Sequence, residues 1–74
     1  MGRLSPQPFR EVKRRLEAAG FSESSQKGSH VKFIRRGELA VDTVIVPRKP
    51  EIPVGTLSSI LQQAHINLEE WEGL

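Results

Sequence analysis

The sequence predicts an α+β domain ordered helix, three antiparallel strands, helix, with both helices laid on one face of a three-stranded sheet. Apolar residues recur at helical spacing near both ends of the chain, as Phe9, Val12, Leu16 and Ala19 and again as Leu57, Ile60, Leu61 and Ala64. Between them, residues 21–46 are rich in aromatic and β-branched types that suit a half-buried pleated surface, including Phe21, Val31, Phe33, Val44 and Val46. A chain of 74 residues has room for one hydrophobic core, so residues 1–74 are expected to form a single domain. A chain this short buries only about 60% of the surface its unfolded state exposes. That thin margin leaves scope for a weak homo-oligomer or a bound partner.

The first helix is expected to run from Ser5-Pro6, where serine is a capping residue and proline suits a first turn, to a stop at Gly20. Its polar side carries Arg10, Lys13 and Arg14, with Arg15 beside them, as a basic stripe. Strands are expected at about 21–26, 30–36 and 39–46, joined by turns at Lys27-Gly28-Ser29 and Arg36-Gly37-Glu38. In the second, Lys32, Ile34 and Arg36 alternate with Val31, Phe33 and Arg35, so one face packs and the other stays wet. Pro47, Pro50 and Pro53 make the following segment a stiff loop. The second helix opens near Gly55-Thr56 and closes around Ala64-His65, where a cation would meet the helix dipole as a cap. Asn67 with Glu70 three residues on has the form of a capping box, so a short terminal turn reaches Trp71, which reads as a core plug. This order of elements is related to that of double-stranded-RNA-binding domains.

Charge points to a polyanion. All 11 Lys and Arg lie in residues 1–49 beside Glu11, Glu17, Glu23, Glu38 and Asp42, whereas residues 50–74 carry Glu51, Glu69, Glu70 and Glu72 and no Lys or Arg. A basic body with an acidic tail suits a nucleic acid partner, although a solvated mixed surface accounts for the same composition. The sequence has no cysteine, which excludes disulfides and Cys-based zinc sites. No apolar run is long enough to span a bilayer, and Met1 to Pro6 do not resemble a signal peptide, so the expected setting is the cytoplasm.

One turn stands out chemically. In Lys27-Gly28-Ser29-His30-Val31-Lys32, Gly28 allows close backbone approach to a phosphate, Ser29 adds a hydroxyl and an N–H, and Lys27 and Lys32 supply positive charge. Imidazole titrates near neutral pH, so His30 can take a proton from a ribose 2′-hydroxyl or give one to a leaving 5′-oxygen, and RNA needs no metal for that reaction. On the residues alone, a His30 that merely opens a strand has the stronger claim. His65 would need the end of the second helix beside this turn to act as a partner. Ser24, Ser25 and Ser29 lack the orienting acid of a hydrolase triad, and the two histidines form no metal-ligand spacing.

Several segments resemble, in order, the HicA (YcfA-like) family of small toxins. Ala18-Ala19-Gly20-Phe21 is similar to the end of that family's first helix, and Lys27-Gly28-Ser29-His30 resembles its Gly-Ser-His signature. Val44-Ile45-Val46-Pro47 resembles its third strand, and Ile52-Pro53-Val54-Gly55-Thr56-Leu57 with the helix that follows resembles its Gly-Thr-Leu segment. The resemblance implies a double-stranded-RNA-binding-like fold and an endoribonuclease that cleaves messenger RNA, single-stranded or structured, without metal or cofactor. It further implies a catalytic His30 in Gly28-Ser29-His30 and a HicB-like antitoxin that masks the site. Two departures matter. A histidine that members often carry after Val-Pro is here Arg48-Lys49, and a glycine they often carry is here His65. The expected RNA-binding set is then Lys27, Gly28, Ser29 and Lys32 around His30, Arg10, Lys13 and Arg14 on the first helix, and Arg48 and Lys49 in the proline loop. A non-catalytic RNA-binding module and a protein-interaction domain are the competing readings.

Overall fold

A computed structural model describes residues 3–74, so Met1 and Gly2 of the amino-terminal stretch lie outside the described residues. Six elements follow one another: α1 (Phe9–Ala18), β1 (Ser22–Lys27), β2 (His30–Arg36), β3 (Val41–Pro47), α2 (Val54–Ala64) and a short α3 (Leu68–Glu72). The strands form one antiparallel sheet in the order β1-β2-β3. This is the expected α+β arrangement.

Alternation along the central strand separates the two faces of the sheet. Val31 and Phe33 of β2 and Val44 and Val46 of β3 are fully buried, and their partners in the core are Phe9, Val12 and Leu16 of α1 and Leu57, Ile60, Leu61 and Ala64 of α2. The intervening residues, His30, Lys32, Thr43 and Ile45 among them, are exposed on the uncovered face. Trp71 of α3 closes one end of the core at 2% exposure. It rests there because Asn67 and Glu70 form the expected capping box, with Asn67 Oδ1 accepting from Glu70 N at 2.8 Å. All six residues of β1 are exposed, and the strand is held by its pairing with β2, with an irregularity between Glu23 and Ser25.

Four expected boundaries are corrected. α1 begins at Phe9 with Pro8 as its N-cap, not at Ser5-Pro6. A residue preceding proline is pushed out of the helical region, and here Gln7 is extended and exchanges two backbone hydrogen bonds with Ile52 of the proline loop, at 3.1 and 2.6 Å. α2 likewise begins at Val54 behind Pro53, earlier than Gly55-Thr56. The second hairpin loop is Gly37 to Ala40, closed by Gly37 N donating to Ala40 O at 2.8 Å, so β3 starts at Val41 rather than residue 39 and leaves Leu39 fully exposed at the tip. β1 is displaced by one residue because Gly20, at φ +99°, ends α1 and Phe21 turns into the core.

Arg35, on the helix side of β2, joins four elements. Its Nη1 donates to Ala19 O at 3.1 Å, beyond the last turn of α1, and its Nη2 donates to Ala64 O at 2.9 Å, at the end of α2. The same guanidinium pairs with Asp42 of β3 at 2.9 Å and lies 4.6 Å over the Phe21 ring. Two helix C-termini, each carrying unpaired carbonyls and partial negative charge, are thus neutralised by one fixed cation. His65 follows as the left-handed cap of α2, at φ 56°, with Nδ1 2.9 Å from Asp42 Oδ1. It is a cap, as expected.

Loss of charged hydrogen bonds at a partly buried position costs about 1.5–3 kcal/mol, so Arg35→Ala is expected to lower unfolding free energy by about that amount in urea titration. Arg35→Lys should recover only a fraction, because one ammonium cannot reproduce the planar fork. Acid should also destabilise the fold. Hydrogen bonds from Arg14 and then Arg15 lower the Glu11 carboxyl from 4.5 to about 2, and Arg35, then His65, lower that of Asp42. Both groups contribute stability above the ordinary carboxylate range that is lost as pH falls toward the folded-state values. Thermal melts should therefore show Tm falling between about pH 4.5 and 2, with a shallower fall in Glu11→Gln; an unchanged slope in that variant contradicts the assignment.

Candidate active site

The turn that carries His30 is a two-residue hairpin loop. Lys27 and His30 face each other across it, and Gly28, the first of the two loop residues, has φ +59°. A positive φ at that position matches the tight hairpin turns that reserve it for glycine. A Cβ at Gly28 would meet nothing within 4 Å, so the demand for glycine here is conformational and not steric.

His30 is the first residue of β2 and is exposed on the uncovered face of the sheet. Strand register sets its neighbours, since Lys27 and Pro47 are its partners in β1 and β3, while Lys32 two residues along is paired with Ser25 and Ile45. Side chains of Ser25, Lys27, His30, Lys32 and Ile45 line one open hollow. Among the described residues the His30 ring makes no hydrogen bond to the protein and no acidic side chain lines the hollow with it. Its contents are one imidazole, two ammonium groups, a hydroxyl and an apolar wall, which can receive an anion and move a proton at its edge. The sequence sets Ser25 aside as a triad nucleophile and gives Ile45 only a strand position, so neither is marked for this hollow. They follow only from the register that places both opposite Lys32.

The remaining expected residues divide into two groups. Arg10, Arg48 and Lys49 line a second hollow with Pro8, Phe9 and Pro50, where the proline loop meets the start of α1 through Phe9 N donating to Lys49 O at 3.1 Å. Arg48 is tied to the His30 turn from behind, its backbone N donating to Ser29 O at 2.6 Å. Its guanidinium lies 4.5 Å over the Phe9 ring and 3.4 Å from Gln26 Oε1, and Gln26 Nε2 donates to Gly28 O at 3.1 Å. No sequence signal marks Gln26. Lys13 and Arg14 stand apart on α1, Lys13 paired with Glu23 at 3.2 Å and Arg14 with Glu11 at 2.6 Å.

His65 does not join His30. It is held to Asp42, whose register partner is Arg35, five residues along β2 from His30. At about 3.3 Å per strand residue the two sites lie roughly 16 Å apart along the sheet. Among the described residues no group of three or more His, Cys, Asp or Glu side chains could hold a metal ion, and no helix is long and apolar enough to cross a membrane.

No curated protein matches the chain. Residues 9–66, from the first residue of α1 to the residue after the α2 cap, match the family model of the HicA toxin of bacterial toxin–antitoxin systems. That segment holds the whole helix, sheet and helix unit together with the Gly28-Ser29-His30 turn, and the chain belongs to the HicA toxin family.

Proposed function

We propose that this toxin is a metal-independent endoribonuclease acting on messenger RNA in the cytoplasm, with His30 as its catalytic residue and a HicB-like antitoxin as the protein that neutralises it. The observation that carries this reading is the hollow on the uncovered sheet face, where His30 is flanked by Lys27 and Lys32. The two ammonium groups would hold a phosphodiester of the RNA backbone and stabilise charge that builds up on its oxygens. Gly28 and Ser29 would let the backbone of the turn come close to the same group. His30 then takes the proton from the ribose 2′-hydroxyl as its oxygen bonds to phosphorus. The bond from phosphorus to the 5′-oxygen breaks, and that oxygen receives a proton from water or from the Lys27 ammonium, because one imidazole cannot give and take in the same step. Neither a metal nor a cofactor enters this sequence of bond changes.

Arg10, Arg48 and Lys49 belong to the proposed RNA surface because they are exposed and have no carboxylate partner among the described residues. Lys13 and Arg14 contribute less to it, since Glu23 and Glu11 already meet their charges.

General acid–base groups are worth about 10²–10⁴-fold in rate, so His30→Ala is expected to lose at least about 100-fold in cleavage of labelled RNA and to lose toxicity on expression. Because His30 is exposed, Tm should change little. Addition of EDTA should leave the wild-type rate unchanged. Cleavage at the original rate by His30→Ala would overturn the assignment, and RNA binding without cleavage by either form would select a non-catalytic RNA-binding module.

A further inference from the structure

Charge pairing sorts the basic residues of this chain. Lys13, Arg14, Arg15 and Arg35 are each engaged by a carboxylate within 3.2 Å. Arg10, Arg48 and Lys49 are not, and all three converge on the hollow between the start of α1 and the proline loop. Like charges gathered without acids repel one another, which makes such a cluster costly unless an anion is its occupant. The walls of the hollow are stiff and partly apolar, being Pro8, Phe9 and Pro50. Stacking on Phe9 and the long contact with Gln26 fix the Arg48 guanidinium while using one of its five donors. A guanidinium positioned beforehand is suited to bidentate capture of a phosphate.

From this geometry we infer that the Arg10, Arg48 and Lys49 hollow is a second phosphate-binding site, separate from the His30 hollow, that holds another phosphodiester of the same RNA strand. This inference rests on the ribonuclease reading above. The two hollows share no lining residue, yet they lie at the same end of the sheet, joined through the hydrogen bond from Arg48 N to Ser29 O. An RNA strand engaged at both would pass over that end of the sheet. The same backbone link makes the second site an anchor: a phosphate gripped by Arg48 bears on the turn that carries His30.

The test measures RNA binding against salt in a His30→Ala background, where cutting does not interfere, with a fluorescently labelled single-stranded RNA of mixed sequence. Each phosphate contact contributes about 0.7 to the slope of log affinity against log salt for single strands. Arg10→Ala with Lys49→Ala is expected to weaken binding several-fold and to reduce the slope by about 0.7, the share of the one phosphate the hollow holds. Arg3→Ala with Arg36→Ala removes the same formal charge at exposed positions outside the proposed RNA surface, and should leave the slope close to that of the parent. Equal slopes in the two double variants would overturn the second site while leaving the ribonuclease reading standing. Failure of the His30→Ala parent, and of the intact protein, to bind RNA at all would overturn that reading and the site with it. Both pairs are at the surface, so matching Tm values confirm that the comparison is between folded proteins.

Discussion

The Arg35 guanidinium sits where four elements end or cross. A small sheet covered by two helices has a recurrent electrostatic difficulty, because both helices finish with unpaired carbonyls close to the same strand. Arg35 meets this with one side chain, donating to Ala19 O and Ala64 O while Asp42 balances its charge. Its aliphatic stem fills the space beside Gly20, where a Cβ would stand 3.4 Å from Arg35 Cδ. Gly20 is required by the positive φ of the α1 stop, whereas a Cβ there would meet Arg35 only at ordinary contact distance. The cation thereby ties α1, α2 and β3 to β2 at one point.

Because helices and core occupy one side of the sheet, the other side is left to present side chains in rows. β2 is the central strand, so His30 and Lys32 have neighbours on both sides, and the hollow they share needs no loop of its own. A site built from strand positions is held more rigidly than one carried by a loop. Only the turn at Gly28-Ser29 departs from the sheet, and it is braced from behind by Arg48 and Gln26. The bracing group belongs to the proline loop, which is itself pinned to α1 through Phe9 and to the Gln7–Ile52 bridge. A change in that loop would reach the turn through two hydrogen bonds and one stacked ring.

The two histidines illustrate how local setting assigns different work to the same side chain. His30 opens a strand on a bare face and has no protein partner for its ring among the described residues. His65 takes the left-handed position that ends α2 and leans on Asp42, about 16 Å away along the sheet. A glycine would adopt that backbone without strain; the histidine offsets its cost by the contact with Asp42.

The sequence by itself determined the order of elements, the composition of the core and the turn at Gly28, because apolar spacing and glycine placement act locally and leave a readable period. Phe9, Val12, Leu16, Leu57, Ile60, Leu61 and Ala64 are buried as their spacing requires, and the capping box at Asn67 needs only three residues of context. Helix starts were less legible: Ser5-Pro6 reads as a first turn, but the pairing of Gln7 with Ile52, 45 residues away, ties down the segment ahead of Pro8 and α1 starts at Phe9. What only the tertiary structure decided is which charged groups meet. Ser25 and Ile45 come to the His30 hollow through strand register, Lys13 and Arg14 are met by Glu23 and Glu11, and Arg10, Arg48 and Lys49 are brought together unpaired. Electrostatic partners are chosen by distance in space, over separations that a linear pattern of charges does not encode.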